Sequence, residues 1–189
     1  MRSFIGAVAV LSRVTGVFAA LLIVAAVLVV CHMVFVRSLL GWNTIWQTEF
    51  TTYALVAATL IGSPYVLLTH GHVNCDIVPI IARGTARRRL AYAADALGLV
   101  FVGFLAVHGW EFWWEAWSGN WYSDTVWRVP LWIPYLSLPL GMTLLALQYV
   151  ARMLAVFTGA DEPFGMKADL PTIISGAEHP AVPHGEARP

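Results

Sequence analysis

Four stretches of about twenty or more mostly apolar residues dominate this sequence of 189 residues. They lie at about 14–36, 46–69, 90–110 and 131–157. An α-helix rises 1.5 Å per residue, so about twenty apolar residues cross the ~30 Å hydrocarbon core of a bilayer. The sequence therefore predicts an all-α membrane protein whose four transmembrane helices form one domain over residues 1–157.

The composition excludes several classes of protein. The chain is 59% hydrophobic and 12% charged, whereas a soluble domain of this size needs a more charged surface. Its formal net charge is zero and no basic cluster marks a folded domain, which argues against nucleic acid as a partner. The two cysteines, Cys31 and Cys75, suit neither a disulfide framework nor a cysteine-based metal site.

The segments outside the four spans are predicted from their polarity. Residues 1–13 are expected to form a short helix on the membrane surface, because Phe4, Ile5, Val8 and Leu11 stand at helical spacing. A signal peptide is the alternative, but the apolar run that follows is too long for a signal core. Residues 77–89 have an apolar start and a basic end, which suits a segment that meets anionic headgroups. The proline-containing tail, residues 158–189, is predicted to be disordered.

The distribution of arginines predicts the orientation of the chain. The positive-inside rule assigns the side with more basic residues to the cytoplasm. Only Arg37 and Arg128 flank the spans on the poorer side. Both termini are therefore predicted to be cytoplasmic, together with the richer set, which is Arg2, Arg13, Arg83, Arg87, Arg88, Arg89 and Arg152.

The second span carries a stripe of small residues. Ala54, Ala58 and Gly62 recur every four residues and so share one helix face. Small residues at this spacing let two helix backbones approach closely in lipid. The stripe is expected to face another helix, either within this chain or on a partner. Glu49 lies near the outer boundary of the span, as a hydrated acid or as a residue that faces a partner.

The third span and the segment after it carry the remaining acids of interest. Asp95 is expected to pair with Arg88 or Arg89 at the interface, with a buried polar role as the alternative. Residues 110–128 hold six tryptophans, typical of a belt at headgroup level. Glu111 and Glu115 are four residues apart and share a helix face, as neighbouring acids at a hydrated helix end commonly do.

No enzymatic activity and no cofactor are predicted. The sequence has no phosphate-binding glycine loop, no nucleophile elbow and no HExxH motif. Two other interpretations were considered. His70, His72 and Asp76 contain metal-ligating groups, but they lie where polar residues also hydrate a helix end. His32 and His108 lie at similar depth and would suit a haem-bearing electron-transfer subunit.

Two groups of residues resemble a known family. The first comprises W-x-x-E from Trp46 to Glu49, Tyr53, Gly62 and the H-G-H-V-x-x-D corner that contains His72 and Asp76. The second is the P-x-W-x-x-Y-x-x-x-P-x-G run, which comprises Pro130, Trp132, Tyr135, Pro139 and Gly141. Together they resemble the small membrane subunit of tripartite ATP-independent periplasmic (TRAP) transporters, the DctQ type, over about residues 10–157.

The resemblance implies a function in an assembly in the bacterial inner membrane. The small subunit would pair with a large DctM-type membrane subunit, which carries the substrate and sodium sites. A DctP-type periplasmic binding protein would deliver an organic acid. The expected partner interface comprises Glu49, Tyr53, Ala54, Ala58, Gly62, His72, Asp76, Glu111, Glu115, Trp132, Tyr135, Pro139 and Gly141.

Overall fold

The computed structural model describes residues 2–41, 44–69 and 85–158. Within these residues, four helical stretches are long and apolar enough to cross a membrane. This confirms the predicted all-α architecture with four spans. The proposed metal residues, most of the segment 77–89 and the tail from residue 159 lie outside the described residues. The helices are α1 (Arg2–Leu40), α2 (Ile45–Leu68), α3 (Thr85–Ser118), α4 (Trp132–Tyr135) and α5 (Ser137–Phe157).

Helix α1 is one continuous helix of 39 residues, with no separate surface helix over residues 1–13. No proline interrupts residues 2–40, so nothing in the backbone favours a break between the predicted surface helix and the first span. At 1.5 Å per residue, α1 is about 58 Å long, well beyond the thickness of a hydrocarbon core. It must therefore tilt or extend past the bilayer.

Helix α3 is also longer than the predicted third span. It starts at Thr85 and ends at Ser118, so four of the six tryptophans of residues 110–128 lie on this helix. Its end is a Schellman motif: the amide of Trp121 donates to the carbonyl of Ala116 (3.1 Å) and that of Asn120 donates to Trp117 (3.3 Å). Asn120 has the left-handed backbone (φ 48°) that this motif requires.

Helices α4 and α5 together form the fourth span. Leu136 between them is itself right-handed helical, with φ −60° and ψ −25°. The interruption follows from Pro139, which has no amide hydrogen to donate to the carbonyl of Tyr135. Together α4 and α5 give a helical stretch, Trp132–Phe157, that is long and apolar enough to cross a membrane, where the sequence predicts a span over 131–157.

Helix α5 is the central helix of the subunit. It packs against α1, α2 and α3, and α1 pairs with α2 through a turn in which Gly41 has φ 63°. Ile5 near the start of α1 and Ala155 near the end of α5 line one small crevice. We call this side of the bundle the terminal end, and the opposite side, where α3 leads into α4, the hairpin end.

Candidate partner interface

The small-residue stripe of α2 is used inside the subunit. Ala54 and Ala58 are each 5% exposed. A Cβ atom added at Gly62 would lie 3.0 Å from the Cβ of Ala19 on α1. Of the two predicted alternatives, the structure therefore supports a contact within this chain, with Gly62 permitting the close approach of α1 and α2.

Pro139 and Gly141 are buried where α5 meets its neighbours. A Cβ atom at Gly141 would lie 2.5 Å from the carbonyl oxygen of Leu60, which is closer than real Cβ atoms come to a backbone. A Cβ atom at Gly109 on α3 would lie 3.4 Å from the Cα of Pro139. Gly141 therefore lets α5 pack closely on α2, and Pro139 packs closely on α3 at Gly109.

Trp132 and Tyr135 on α4 pack against the tryptophan-rich end of α3. The indole of Trp113 donates a hydrogen bond to the carbonyl of Trp132 (3.0 Å). The Trp132 ring lies edge-on to Trp117, with centroids 4.6 Å apart, and Tyr135 lies 5.0 Å from Phe112. Such aromatic pairs contribute beyond their buried area, so this cluster ties α4 to α3.

Tyr53 lines an apolar groove of about 400 Å³ on the surface of the subunit. The floor of the groove is α2, one wall is α1 at Phe18 and Leu22, and the other is the start of the fourth span, including Ile133. The side chain of Tyr53 also interacts with Ser123 of the loop between α3 and α4, so it lies between this groove and that loop.

The loop of residues 119–131 between α3 and α4 folds back on itself, and we call it the hairpin loop. The amide of Ser123 donates to the carbonyl of Val129 (2.9 Å), and the amide of Leu131 donates to Trp121 (2.9 Å). At its tip, the amide of Arg128 donates to Thr125 (3.1 Å). Arg128 has φ 46°, an uncommon conformation for a residue with a side chain. The hairpin loop is thus ordered by its own backbone bonds.

Glu49 contacts the hairpin loop. The hydroxyl of Ser123, a buried residue, donates to Oε1 of Glu49 over 2.6 Å, joining residues 74 positions apart. The Ser123 hydroxyl also lies 3.1 Å from that of Thr125. The other carboxylate oxygen, Oε2, is buried and has no hydrogen-bond partner among residues 2–41, 44–69 and 85–158. Glu49 is therefore half-buried and tied to its own chain, a contact that sequence reasoning did not anticipate.

The exposed acids lie at the hairpin end. Glu111, Glu115 and Asp124 are all exposed. Glu111 accepts from Nδ1 of His108 at 2.8 Å, three residues earlier on α3. His72 and Asp76, the other two predicted interface residues, lie outside the described residues.

The two histidines of the haem alternative have other neighbours. The ring of His32 lies 6.2 Å from that of Trp46. The ring of His108 lies 4.2 Å from that of Phe104. In the described chain α1 packs on α2 and α5, while α3 packs on α4 and α5. The helices that carry His32 and His108 are therefore not packed against each other, and the geometry does not favour a shared iron.

Asp95 and Arg152 form a buried ion pair near the terminal end of the bundle. Nε of Arg152 on α5 lies 3.4 Å from Oδ2 of Asp95 on α3, and the two side chains are 8% and 3% exposed. Of the two alternatives that the sequence leaves open for Asp95, pairing with Arg88 or Arg89 at the interface and a buried polar role, its burial fits the second. The side chain of Arg89 is exposed, and that of Arg88 is not among the side chains that the structure describes. A signal was available, because Gln148 and Arg152 stand four residues apart within an apolar span.

Gln148 makes a second buried contact on the same face of α5. Its Oε1 accepts a hydrogen bond from the hydroxyl of Ser12 on α1 at 2.8 Å. The polar face of α5 therefore connects α1 on one side and α3 on the other. Among residues 2–41, 44–69 and 85–158, no three histidine, cysteine or acidic side chains form a group able to hold a metal ion.

Comparison with known proteins identifies the family. A sequence profile of the DctQ component of tripartite ATP-independent periplasmic transporters matches residues 26–159. The chain belongs to this family. The matched region runs from the middle of α1 to the end of α5 and includes every described motif residue.

A curated relative of this DctQ-family chain supports the same assignment. The C4-dicarboxylate TRAP transporter small permease protein DctQ of Vibrio cholerae serotype O1 is 26% identical over 147 residues. The match covers 67% of this chain and 63% of that protein. No solved structure matches the chain. The chain is therefore a DctQ-family, multi-pass protein of the bacterial inner membrane.

Proposed function

We propose that this chain is the small membrane subunit that braces the large permease subunit of a TRAP transporter. It also helps to dock the periplasmic substrate-binding protein during sodium-coupled uptake of an organic acid. The observation that carries the proposal is the match of the DctQ family profile across residues 26–159. The name of the relative specifies C4-dicarboxylate, which makes a small carboxylic acid the first substrate class to test.

The exposed surface of the subunit supports a bracing role. Helix α1 exposes apolar side chains such as Leu21 and Leu28 (62% and 64%), and α3 exposes Leu97 and Val100 (72% and 71%). In a membrane, such faces contact lipid tails or the apolar helices of a partner. The buried polar side chains Asp95 and Arg152 pair with each other, which stabilises packing but does not provide an open ion site.

The proposed orientation places the terminal end in the cytoplasm and the hairpin end in the periplasm. It is supported by the arginines near the terminal end and by the exposed Glu111, Glu115 and Asp124 at the hairpin end. These three acids are candidate contacts for the binding protein. We expect their combined replacement by alanine to reduce uptake without releasing the large subunit, and unchanged uptake would remove them as contacts.

The decisive experiment is purification of the tagged chain in mild detergent, followed by identification of the proteins that accompany it. We expect a large membrane subunit to be retained. Liposomes should take up the organic acid only when both membrane subunits and the binding protein are present with a sodium gradient. Uptake by this chain alone would contradict the proposal, and a Soret absorption band would support the electron-transfer alternative instead.

A further inference from the structure

Glu49 joins two parts of the subunit that are distant in sequence. Its Oε1 accepts from the Ser123 hydroxyl at 2.6 Å, the shortest of the side-chain bonds that hold the hairpin loop among the described residues. Hydrogen bonds to a charged group are stronger than those between neutral groups. The bond therefore fixes the loop relative to α2.

The hydroxyl of Ser123 transmits this restraint to the tip of the hairpin loop. It accepts from the amide of Thr125 (3.4 Å) and lies 3.1 Å from the Thr125 hydroxyl, while the carbonyl of Thr125 accepts from the amide of Arg128. A second contact supports the same geometry, since the rings of Trp46 and Trp127 lie 6.3 Å apart. The tip is consequently held from α2 at two points.

The tip presents an apolar residue between charged ones. Val126 is 85% exposed, and both Asp124 and Arg128 are exposed beside it. Charged side chains on both flanks do not suit hydrocarbon. An apolar centre within a polar rim is the usual composition of a contact between soluble proteins. The left-handed Arg128 indicates that the tip is held in one shape, which reduces the entropy lost on docking.

We propose that Glu49 is a positioning residue: through Ser123 it holds the hairpin loop in the shape in which its tip, residues 124–128, docks the soluble binding protein. This rests on the proposed function. It assigns Glu49 a role within the subunit rather than at the large subunit.

The test uses the complete transporter in liposomes, with uptake measured against the concentration of the binding protein. Glu49→Met keeps the side-chain volume but removes the acceptor, whereas Glu49→Gln keeps an oxygen that Ser123 can bond. We expect Glu49→Met to raise the half-saturating concentration of binding protein about tenfold, the effect of losing one charged hydrogen bond. The maximal rate should be unchanged, and Glu49→Gln should restore most of the affinity.

Ser123→Ala removes the same bond from the other side and should give the same shift in half-saturating concentration. It therefore serves as the test variant if Glu49→Met does not fold. Thr52→Val is the matched control, because Thr52 on the same helix bonds only its own backbone at Thr48. Hydrogen exchange of the loop peptide should increase in Glu49→Met and Ser123→Ala but not in Thr52→Val.

The outcomes separate the inference from the proposed function. A looser loop with an unchanged half-saturating concentration, or a lower maximal rate at unchanged affinity, would overturn the positioning role and leave the transporter assignment intact. Loss of the large subunit from Glu49→Gln would place Glu49 at that interface instead. Wild-type uptake that does not depend on the binding protein would refute the proposed function itself.

The nature of the partner is tested with Val126→Asp. We expect this change to lower affinity for the binding protein while the large subunit and the membrane retain the chain. If Val126→Asp instead leaves that affinity unchanged, the tip meets lipid headgroups or nothing, and the docking role is wrong.

Discussion

Asp95 and Arg152 show how a single pair can determine the register of two membrane helices. Both side chains are almost fully buried and their closest atoms are 3.4 Å apart. Removing one partner leaves an uncompensated charge, whereas replacing both with apolar residues removes the desolvation cost as well. A buried pair of this kind therefore restricts which alignments of α3 and α5 are stable.

We expect Arg152→Met to destabilise the subunit by about 3 kcal/mol, because it removes the guanidinium that lies 3.4 Å from the buried carboxylate of Asp95. The double variant Asp95→Leu with Arg152→Met should recover much of this loss. The measurement is thermal unfolding in detergent, monitored by tryptophan fluorescence. If the double variant is as unstable as the sum of the single variants, the pair is not coupled in this way.

Gly141 is the position at which an added side chain should most directly destabilise the packing of α5 on α2. Gly141→Ala places a Cβ atom 2.5 Å from the carbonyl oxygen of Leu60, so α5 must move away from α2. Overpacking of this kind costs about 1–3 kcal/mol. Gly103→Ala on α3 is the control, because no atom lies within 4 Å of its added Cβ. Equal melting temperatures for the two variants would contradict the close approach.

At the scale of elements, the α1–α2 pair is a unit held by small residues. Gly62 meets Ala19, and a Cβ atom at Gly16 would lie 2.5 Å from the ring of Tyr65. Two helices that pack this closely gain dispersion contacts over a long face, which replaces the hydrophobic drive that lipid does not supply. The stripe on α2 thus supports the subunit itself before any partner is present.

We expect Gly62→Leu and Ala58→Leu to lower the melting temperature of the isolated subunit and to reduce co-purification of the large subunit. Both effects follow from separation of α1 and α2. Thr59→Leu is the control on the same helix, because Thr59 is exposed and its hydroxyl bonds only the carbonyl of Leu55. Loss of the large subunit at an unchanged melting temperature would place the stripe at the partner interface instead.

On the scale of the whole molecule, the four spans form an open arrangement around α5. Helices α1 and α3 lie on different sides of α5, and each leaves a long apolar face uncovered. A subunit with two such flanks can contact lipid on one and a larger membrane protein on the other. This shape is consistent with the proposed bracing role.

The proposed orientation predicts which ends react with a reagent that cannot cross the membrane. In a background with Cys31→Ser and Cys75→Ser, V126C at the hairpin end should be labelled by an impermeant maleimide in spheroplasts. S3C near the terminal end should be labelled only after the membrane is permeabilised. The reverse pattern would invert the topology and remove the hairpin loop from the periplasm.

The sequence alone determined the helical class, the four spans and the family. Each of these depends on local information: the number of apolar residues needed to cross a bilayer, the position of prolines, and short motifs. The same local rules misjudged the length of α1 and of α3. A helix continues until a residue such as proline ends it. A change from apolar to amphipathic residues does not end a helix.

Tertiary structure decided which polar residues meet. Glu49 contacts Ser123 across 74 positions, Ser12 contacts Gln148 across 136, and Asp95 contacts an arginine on another helix. No periodicity relates such residues, because their proximity depends on which helices pack together and at what height. The interface motif of the fourth span and the stripe on α2 could be located in the sequence. An apolar residue suits a neighbouring helix, a partner or lipid equally well, so the sequence could not distinguish these environments. The packed helices showed that most of these residues face their own subunit.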